Sequence, residues 1–192
     1  MQKLVFATNN PHKLREAREI IGSRIEVLSL ADIGCSDEIP ETADTLEGNA
    51  MIKARWVSEK YGCPCFADDT GLFVESLDGR PGVYTARFAG EHCSPADNIT
   101  LLLKLLEGKE NRKAYFRTVV AYSSPQREFY VDGQVDGRIP EKATGNGGFG
   151  YDPVFIPDET GLSFAEMGEE GKNSISHRGR AIRNMIKELS PK

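Results

Sequence analysis

Short strand-like segments alternate with helical segments along the first part of this chain, which restricts it to folds that pack helices against a sheet. Apolar runs at residues 3–7 and 25–30 predict strands, and apolar residues at helical spacing within 14–21 predict a helix between them. The alternation is not a strict strand–helix–strand repeat, because residues 114–122 and 128–134 have the pattern of an antiparallel hairpin. We therefore expect an α/β fold with a mixed sheet.

Start signals place the predicted helices. Asn10 and Pro11 are typical of an N-cap and a first helical position. A second helix is predicted over residues 46–61, because Asp44 with Glu47 three residues later resembles a capping box. Two further helices are predicted, one after Ser94-Pro95 and one over residues 176–189.

Size and composition exclude several classes of protein. The 192 residues are expected to form one domain, residues 1–192, with a sizeable core. The net charge of −5 gives no general attraction to nucleic acid or to anionic membranes. No apolar run approaches about 18 residues, so we expect no membrane span, and the first residues lack a secretory-signal pattern. The four cysteines lack zinc spacing, so we expect reduced thiols in a cytoplasmic protein.

Two predicted helix starts carry cations where cations are unfavourable. Lys13 lies in the first turn after Asn10, and His177 and Arg178 lie at the start of the last helix. A bound phosphate would reverse the sign of this effect, since backbone N–H groups and Lys13 would then favour the anion. The segment is not a P-loop. The alternative is a capped surface helix in the first case and a solvated basic helix face in the second.

Adjacent carboxylates follow an apolar segment at Asp68 and Asp69. Burying them is costly unless they are paired or bind a cation. We expect a strand over residues 65–68, a turn at residues 69–71 that lets both side chains face one cleft, and a second strand over residues 72–77. With Glu41 or Glu38 nearby they offer hard oxygen ligands suited to Mg²⁺. The alternative is an Asp-rich turn.

A glycine-rich segment, residues 144–151, contains aromatic residues and is followed by Asp152. Glycines let the backbone approach a ligand closely, and Phe149 and Tyr151 offer rings on which a base can stack. Lys53 follows Asn49 by one helical turn. Lys53, like Lys172, is alternatively a solvated lysine, and the glycine-rich segment is alternatively a flexible loop.

Taken together and in order, these segments resemble the inosine triphosphate pyrophosphatase family. The resemblance covers nearly the whole chain and rests on six blocks. They are Thr8-Asn9-Asn10-Pro11-His12-Lys13, Glu41-Thr42 with residues 49–55, residues 67–72, residues 81–87, residues 147–153, and Lys172-Asn173 with residues 175–178. The chain departs from the usual family sequence at Ala43, Leu46 and Gly48, where Gly, Phe and Glu are common.

The resemblance implies more than the residues establish alone. It implies an elongated, twisted mixed β-sheet flanked by helices, with two lobes around a central nucleotide cleft, commonly assembled as a homodimer. It also implies Mg²⁺-dependent hydrolysis of ITP, dITP and XTP to the nucleoside monophosphate and pyrophosphate. Such an activity removes deaminated purines from the nucleotide pool.

We expect the matched residues to divide the work of such a reaction. Asp69 is expected to be the general base and a metal ligand, with Glu41 and Asp68 completing the metal site. The side chains of Lys13, Lys53 and Lys172 are expected to hold phosphates, helped by the amides of residues 8–10. Phe149 is expected to stack on the purine. Asp152, His177 and Arg178 are expected to read the purine edge. The full predicted substrate-binding set is Thr8, Asn9, Asn10, Pro11, His12, Lys13, Lys53, Thr70, Phe149, Gly150, Tyr151, Asp152, Lys172, His177 and Arg178.

Two other functions remain open at this stage. A house-cleaning pyrophosphatase for modified pyrimidine nucleotides would share the stacking residue Phe149, because stacking tolerates any base. A nucleotide sensor without catalysis would need the lysines but not Asp68, Asp69 and Glu41, which would repel a bare triphosphate. A nucleic-acid-binding module is disfavoured by the net charge of −5.

Overall fold

The computed structural model describes residues 2–190, and within them it has seven strands and five α-helices. The strands are β1 (Gln2–Phe6), β2 (Ile25–Leu28), β3 (Cys65–Val74), β4 (Pro81–Gly82), β5 (Lys113–Ser123), β6 (Glu128–Arg138) and β7 (Ile156–Pro157). The helices are α1 (Pro11–Ile21), α2 (Leu46–Tyr61), α3 (Pro95–Leu105), α4 (Gly168–Ile175) and α5 (His177–Leu189). Within residues 2–190, no helix is both long enough and apolar enough to cross a bilayer.

The sheet is mixed, as the sequence predicts. Its strands lie in the order β2-β1-β3-β5-β6-β7, with β4 paired to β3 off this path. β1 pairs in parallel with β2 and with β3, whereas β4 is antiparallel to β3 and β7 to β6. Residues 124–127 join β5 to β6, and Ser124 N donates to Arg127 O across this turn. The predicted mixed α/β fold is confirmed.

The chain forms two compact units. The first contains residues up to Asp69, Thr118–Gly133, and the chain from His177 onward. Its core packs β1 and the start of β3 against α1 and α5, and the rings of Phe6 and Phe66 stack with centroids 4.3 Å apart. Apolar residues spaced by three or four positions put one face of each helix into this core.

The second unit contains Thr70–Arg117 and Gln134–Ser176. Aromatic side chains form the centre of its core, where Phe116 lies edge-on to Phe155 with ring centroids 4.8 Å apart. Leu102 and Leu106, from α3 and its end, are fully buried in the same cluster. The capping box of α3, in which Ser94 and Asp97 bond reciprocally, starts this helix where the sequence predicts.

Helix starts agree with the sequence in one case and differ in another. Asn10 is the N-cap of α1 and Pro11 its first residue, as predicted. The predicted capping box of α2 is wrong, because Thr45 is the N-cap and its side chain accepts from Gly48 N. Residues 168–175 were not expected to be helical; they form α4, and α5 begins at His177.

The acidic segment is not a turn. β3 continues from Cys65 to Val74 without interruption, so the predicted turn at residues 69–71 is wrong. Pairing with β4 continues the strand through Leu72 and Phe73. Gly71 permits this pairing, since a Cβ there would lie 2.9 Å from Gly82 O.

The four cysteines all lie within the described residues and are free thiols, as predicted. Burial raises the pKa of the Cys65 thiol and of the Cys63 thiol, which keeps both in the unreactive protonated form.

Candidate active site

Asp68 is held between two cations in the first unit. Its side chain is almost fully buried; Oδ1 accepts from Lys13 Nζ at 3.0 Å and Oδ2 accepts from Arg178 Nε at 2.9 Å. Burial raises the pKa of this carboxyl, but the charges of Lys13, Arg178 and Lys53 outweigh it and hold the pKa far below its usual range. Asp68 is therefore expected to be ionised at neutral pH.

Glu16 completes this ion-pair network and is absent from the sequence-based site. It is buried on α1, three residues after Lys13, and bonds to Arg178 Nη1. Arg178 thus joins Glu16 of α1 to Asp68 of β3. The signal was available in the sequence, because residues three apart share a helix face and Ala17 beside it is apolar. The expected role of Arg178 at the purine edge remains a prediction.

Lys53 organises the second half of the cluster. Its Nζ donates to Glu41 Oε1 at 2.6 Å and to the Asp68 carbonyl at 2.8 Å, and it lies 3.9 Å from Asp69 Oδ1. Burial lowers the pKa of Lys53, but Asp69, Asp68 and Glu41 together raise it above the ordinary lysine value. The ammonium is thus a fixed positive charge beside Asp69.

Asp69 differs from its neighbour Asp68. Its Oδ2 is buried and accepts no hydrogen bond from any group in residues 2–190. Burial raises its pKa to about 6, against the opposing charges of Lys53 and Lys13. Because β3 runs on past this point, the two adjacent carboxylates meet different partners instead of sharing one turn.

The predicted metal ligands fit a divalent cation only in part. No three His, Cys, Asp or Glu side chains among residues 2–190 are grouped so that they could hold a metal. Both oxygens of Asp68 already accept hydrogen bonds, from the Lys13 and Arg178 side chains. By contrast, Asp69 Oδ2 has no hydrogen-bond donor within residues 2–190, and the Glu41 side chain is 43% exposed. Mg²⁺ is typically bound by one or two carboxylates together with substrate phosphates, and Asp69 and Glu41 suit that arrangement.

The charges of this cluster support the same conclusion. Three cations face four carboxylates, which leaves one net negative charge before a ligand binds. A bare triphosphate would be repelled by the uncompensated carboxylate, and a divalent cation bound between the two would weaken that repulsion.

The start of α1 satisfies its own amides. Asn10 Oδ1 accepts from the backbone N–H groups of His12 and Lys13, at 2.9 and 3.2 Å. Thr8 N donates to Phe6 O, and Asn10 N donates to Thr8 Oγ1. The backbone N–H groups of Thr8 and Asn10 are therefore bonded within the chain, and the expectation that the amides of residues 8–10 help to hold a phosphate remains a prediction. The Lys13 ammonium lies in the first turn of this helix, paired with Asp68, and its expected role in holding a phosphate remains a prediction.

The second unit contains a separate cluster around Lys172. Lys172 Nζ donates to Asp152 Oδ2 at 2.6 Å, and both side chains are about 95% buried. The same carboxylate oxygen accepts from Phe149 N at 2.8 Å. The ammonium lies 4.5 Å from the centroid of the Phe149 ring and 5.8 Å from that of Phe164. The structure thus brings Lys172 together with Phe149 and Asp152, whereas Lys13 and Lys53 share the first unit.

Gly148 makes the Asp152 contact possible. Its φ is +71°, and a Cβ at this position would lie 2.1 Å from Asp152 Oδ2. Only glycine combines that backbone conformation with that approach. The glycine-rich segment is therefore a built turn around Asp152 and not a flexible loop.

The other predicted binding residues occupy varied surroundings. Tyr151 lies in the core of the second unit, where its hydroxyl donates to Thr85 O at 2.8 Å. Thr70 and Gly150 are half-buried in that unit, and His177 is buried at the start of α5 in the first. The stacking role considered for Tyr151 is not available to a ring packed in this core.

Comparison with known proteins covers almost the whole chain. Residues 4–188 match the model of the Ham1 family. This chain belongs to the Ham1 family. Ham1-family relatives include the dITP/XTP pyrophosphatase of Porphyromonas gingivalis, 55% identical over 183 residues, with 95% of this chain and 94% of the relative covered. The dITP/XTP pyrophosphatase of Flavobacterium johnsoniae is 49% identical over 188 residues, with 98% of each chain covered. The structure of the Staphylococcus aureus Ham1 protein superposes with a TM-score of 0.88 at 34% identity, covering 98% of both chains.

The family resemblance inferred from the sequence is therefore confirmed. The similar fold of the Ham1 structure also confirms the predicted architecture of a mixed sheet flanked by helices. Both clusters described above lie inside the matched range, residues 4–188.

Proposed function

We propose that this chain is a nucleoside triphosphate pyrophosphatase that hydrolyses dITP, ITP and XTP to the monophosphate and pyrophosphate. Its Ham1-family relatives named dITP/XTP pyrophosphatases, at 55% and 49% identity, support the reaction and the substrate class. We further propose that the reaction needs Mg²⁺, and that the active protein is a cytoplasmic homodimer formed by the single domain of residues 1–192.

One observation carries the mechanism: Asp69 offers a buried carboxylate oxygen without a hydrogen-bond donor, beside the fixed ammonium of Lys53. A base that orients a water molecule needs an open acceptor with a pKa near the working pH. The pKa of Asp69, raised to about 6 by burial, meets that need.

The step we propose is hydrolysis at the α-phosphorus. Asp69 orients a water molecule and takes its proton, a new bond forms from the water oxygen to the α-phosphorus, and the bond to the bridging oxygen of pyrophosphate breaks. A bound Mg²⁺ would neutralise phosphate charge and polarise the phosphoryl group. Lys13 and Lys53 hold the phosphates by charge, and Asp68 and Glu41 keep these ammonium groups in place.

We propose that the Lys172 cluster recognises the base. Lys172 Nζ is a donor suited to the 6-keto oxygen that distinguishes hypoxanthine and xanthine from adenine. Because this ammonium lies over one face of the Phe149 ring, a purine stacked on Phe149 would use the opposite face. We therefore assign Lys172 to recognition of the base, in place of the phosphate-binding role expected from the sequence.

The test is release of pyrophosphate, distinguished from phosphate, by the purified full chain. dITP, ITP, XTP, ATP, GTP and dTTP are each supplied with Mg²⁺ or with EDTA. We expect release from dITP, ITP and XTP only, and its loss in EDTA. Asp69→Asn should lower kcat by about 10²- to 10⁴-fold with little change in substrate affinity. Asp32→Asn, which alters an exposed carboxylate of the first unit bonded to Ser29, is the matched control.

Each rival predicts a different outcome. Binding of dITP without pyrophosphate release would indicate a nucleotide sensor. Release mainly from pyrimidine nucleotides would refute the assignment of Lys172 and Phe149 to a purine. Wild-type turnover by Asp69→Asn would remove Asp69 from the role of base.

A further inference from the structure

The loop that carries Glu41 is fastened to one face of α2 at two points. Asn49, which is 3% exposed, accepts the backbone N–H of Ala43 on its Oδ1 at 2.9 Å. One helical turn later, Lys53 Nζ donates to Glu41 Oε1 at 2.6 Å. The same helix face therefore holds the backbone of this loop and its carboxylate.

A buried asparagine is an unusual choice for this position. Ala50 and Ala54, which follow on the same helix, are fully buried and apolar. Asparagine is a weaker helix former than alanine, and its buried amide is costly unless it is hydrogen-bonded. A side chain needed only for packing would not require an amide, so the bond to Ala43 is the feature that explains Asn49.

Ala43 also packs closely against Gly48 in the first turn of α2. A Cβ on Gly48 would lie 2.5 Å from the Ala43 methyl group and 3.0 Å from Thr45 Oγ1. Thr45 is the N-cap, and its Oγ1 accepts from Gly48 N at 3.0 Å. There is room for one methyl group between positions 43 and 48, so the two residues are sterically coupled.

We propose that Asn49 is a positioning residue for Glu41, and that it acts through Ala43 to set how readily the protein takes up Mg²⁺. The inference rests on the proposed function, in which Glu41 serves the metal site. The Glu41 side chain is 43% exposed and pairs with Lys53, so its position also depends on how the backbone of its loop is held. Anchoring the backbone two residues away reduces the conformational entropy that is lost when Glu41 binds a ligand.

The first test is Asn49→Ala. We expect the Mg²⁺ concentration for half-maximal pyrophosphate release to rise on the order of 10-fold, the usual effect of losing an outer-shell support. The value of kcat at saturating Mg²⁺ should stay near that of the wild type. Independently of activity, amide hydrogen exchange in a peptide that contains Ala43 should accelerate. Asn49→Asp keeps the acceptor oxygen and should restore protection of that amide.

Asn98 provides a matched control in the second unit. It is 4% exposed on α3, and its Oδ1 accepts the backbone N–H of Ala89 at 2.8 Å. Asn98→Ala removes the same kind of bond between a helix and its preceding loop, together with the bond from Asn98 Nδ2 to Ala86 O, so it is the more severe of the two changes. It should lower stability at least as much as Asn49→Ala and leave the Mg²⁺ requirement unchanged.

The steric coupling supplies a second, independent test. Gly48→Ala alone should displace the loop and raise the Mg²⁺ requirement in the same way. The exchange Ala43→Gly/Gly48→Ala moves the methyl group to the other side of the contact and should restore most of the wild-type response.

The outcomes separate this inference from the proposed function. If the wild type releases no pyrophosphate, the proposed function fails, while hydrogen exchange still tests the anchor. If the wild type is active and Asn49→Ala exposes the Ala43 amide without changing the Mg²⁺ requirement, the positioning role is refuted. An equal Mg²⁺ shift in Asn49→Ala and Asn98→Ala would refute it too, because the effect would then reflect stability alone.

Discussion

Replacing Lys172 by Met should destabilise the protein far more than a typical lysine substitution. In the wild type the Lys172 ammonium lies 2.6 Å from Asp152 Oδ2, and the two side chains are only 4% and 5% exposed. The substitution therefore leaves the Asp152 carboxylate buried without its ammonium partner. Removing one partner of such a buried ion pair costs about 3–5 kcal/mol. Loss of the contact between the ammonium and the Phe149 ring adds about 0.5–2 kcal/mol, and the apolar methionine offsets part of it.

The assays are urea and thermal unfolding, each followed by far-ultraviolet circular dichroism, which reports helices from the whole chain. For a chain of this length, about 2–4 °C of melting temperature corresponds to each kcal/mol, so the melting temperature should fall by about 6–20 °C. Lys60→Met is the matched control. Lys60 also pairs with a carboxylate, Asp37 at 2.8 Å, and lies 4.7 Å from the Trp56 ring, but its side chain is 46% exposed. It should cost about 1 kcal/mol or less.

A double variant tests the cause. Asp152→Asn/Lys172→Met removes both charges and should recover at least about 2 kcal/mol relative to Lys172→Met, since no uncompensated charge remains buried. The reasoning is refuted if Lys172→Met costs no more than Lys60→Met. It is also refuted if the double variant is as unstable as the single one.

Two further predictions concern the two clusters. Gly148→Ala should destabilise the protein by about 1–3 kcal/mol and weaken dITP binding, because the new Cβ would collide with Asp152 Oδ2. Gly150→Ala is the control and should cost less, because Gly150 also has a positive φ, +61°, but a Cβ there would have no atom within 4 Å. In EDTA, Asp69→Asn should match the wild type in unfolding free energy near pH 4. It should exceed the wild type by about 2–3 kcal/mol above pH 6, because burial raises the folded pKa of Asp69 from 3.8 to about 6 and the stability contributed by the protonated form is lost over that interval. Urea titrations from pH 4 to pH 8 and calorimetric dITP titrations measure these effects, and a pH-independent difference would contradict the second.

The local elements could be predicted from the sequence wherever one residue decides the backbone. Asn10 and Pro11 start α1, and Gly62 ends α2 in the left-handed conformation, because caps depend on side chains within a few residues. The same local rules misplaced the turn near Asp69. There, β3 continues as a strand beside β5 in the sheet and pairs with β4 at Leu72 and Phe73, and pairing with a distant strand such as β5 leaves no mark in the local pattern.

The sequence by itself determined the family and the mixed α/β class, and it predicted most of the residues that the structure gathers into the two clusters. It did so because these depend on residue types in a fixed order along the chain. Only the tertiary structure decided which charges meet: Glu16 joins Arg178 and Asp68, Lys172 joins Asp152, and Asp69 keeps an open oxygen. Ion pairs between residues as far as 162 positions apart depend on how helices and strands pack, and the burial that shifts the pKa of Asp69 exists only in the folded chain.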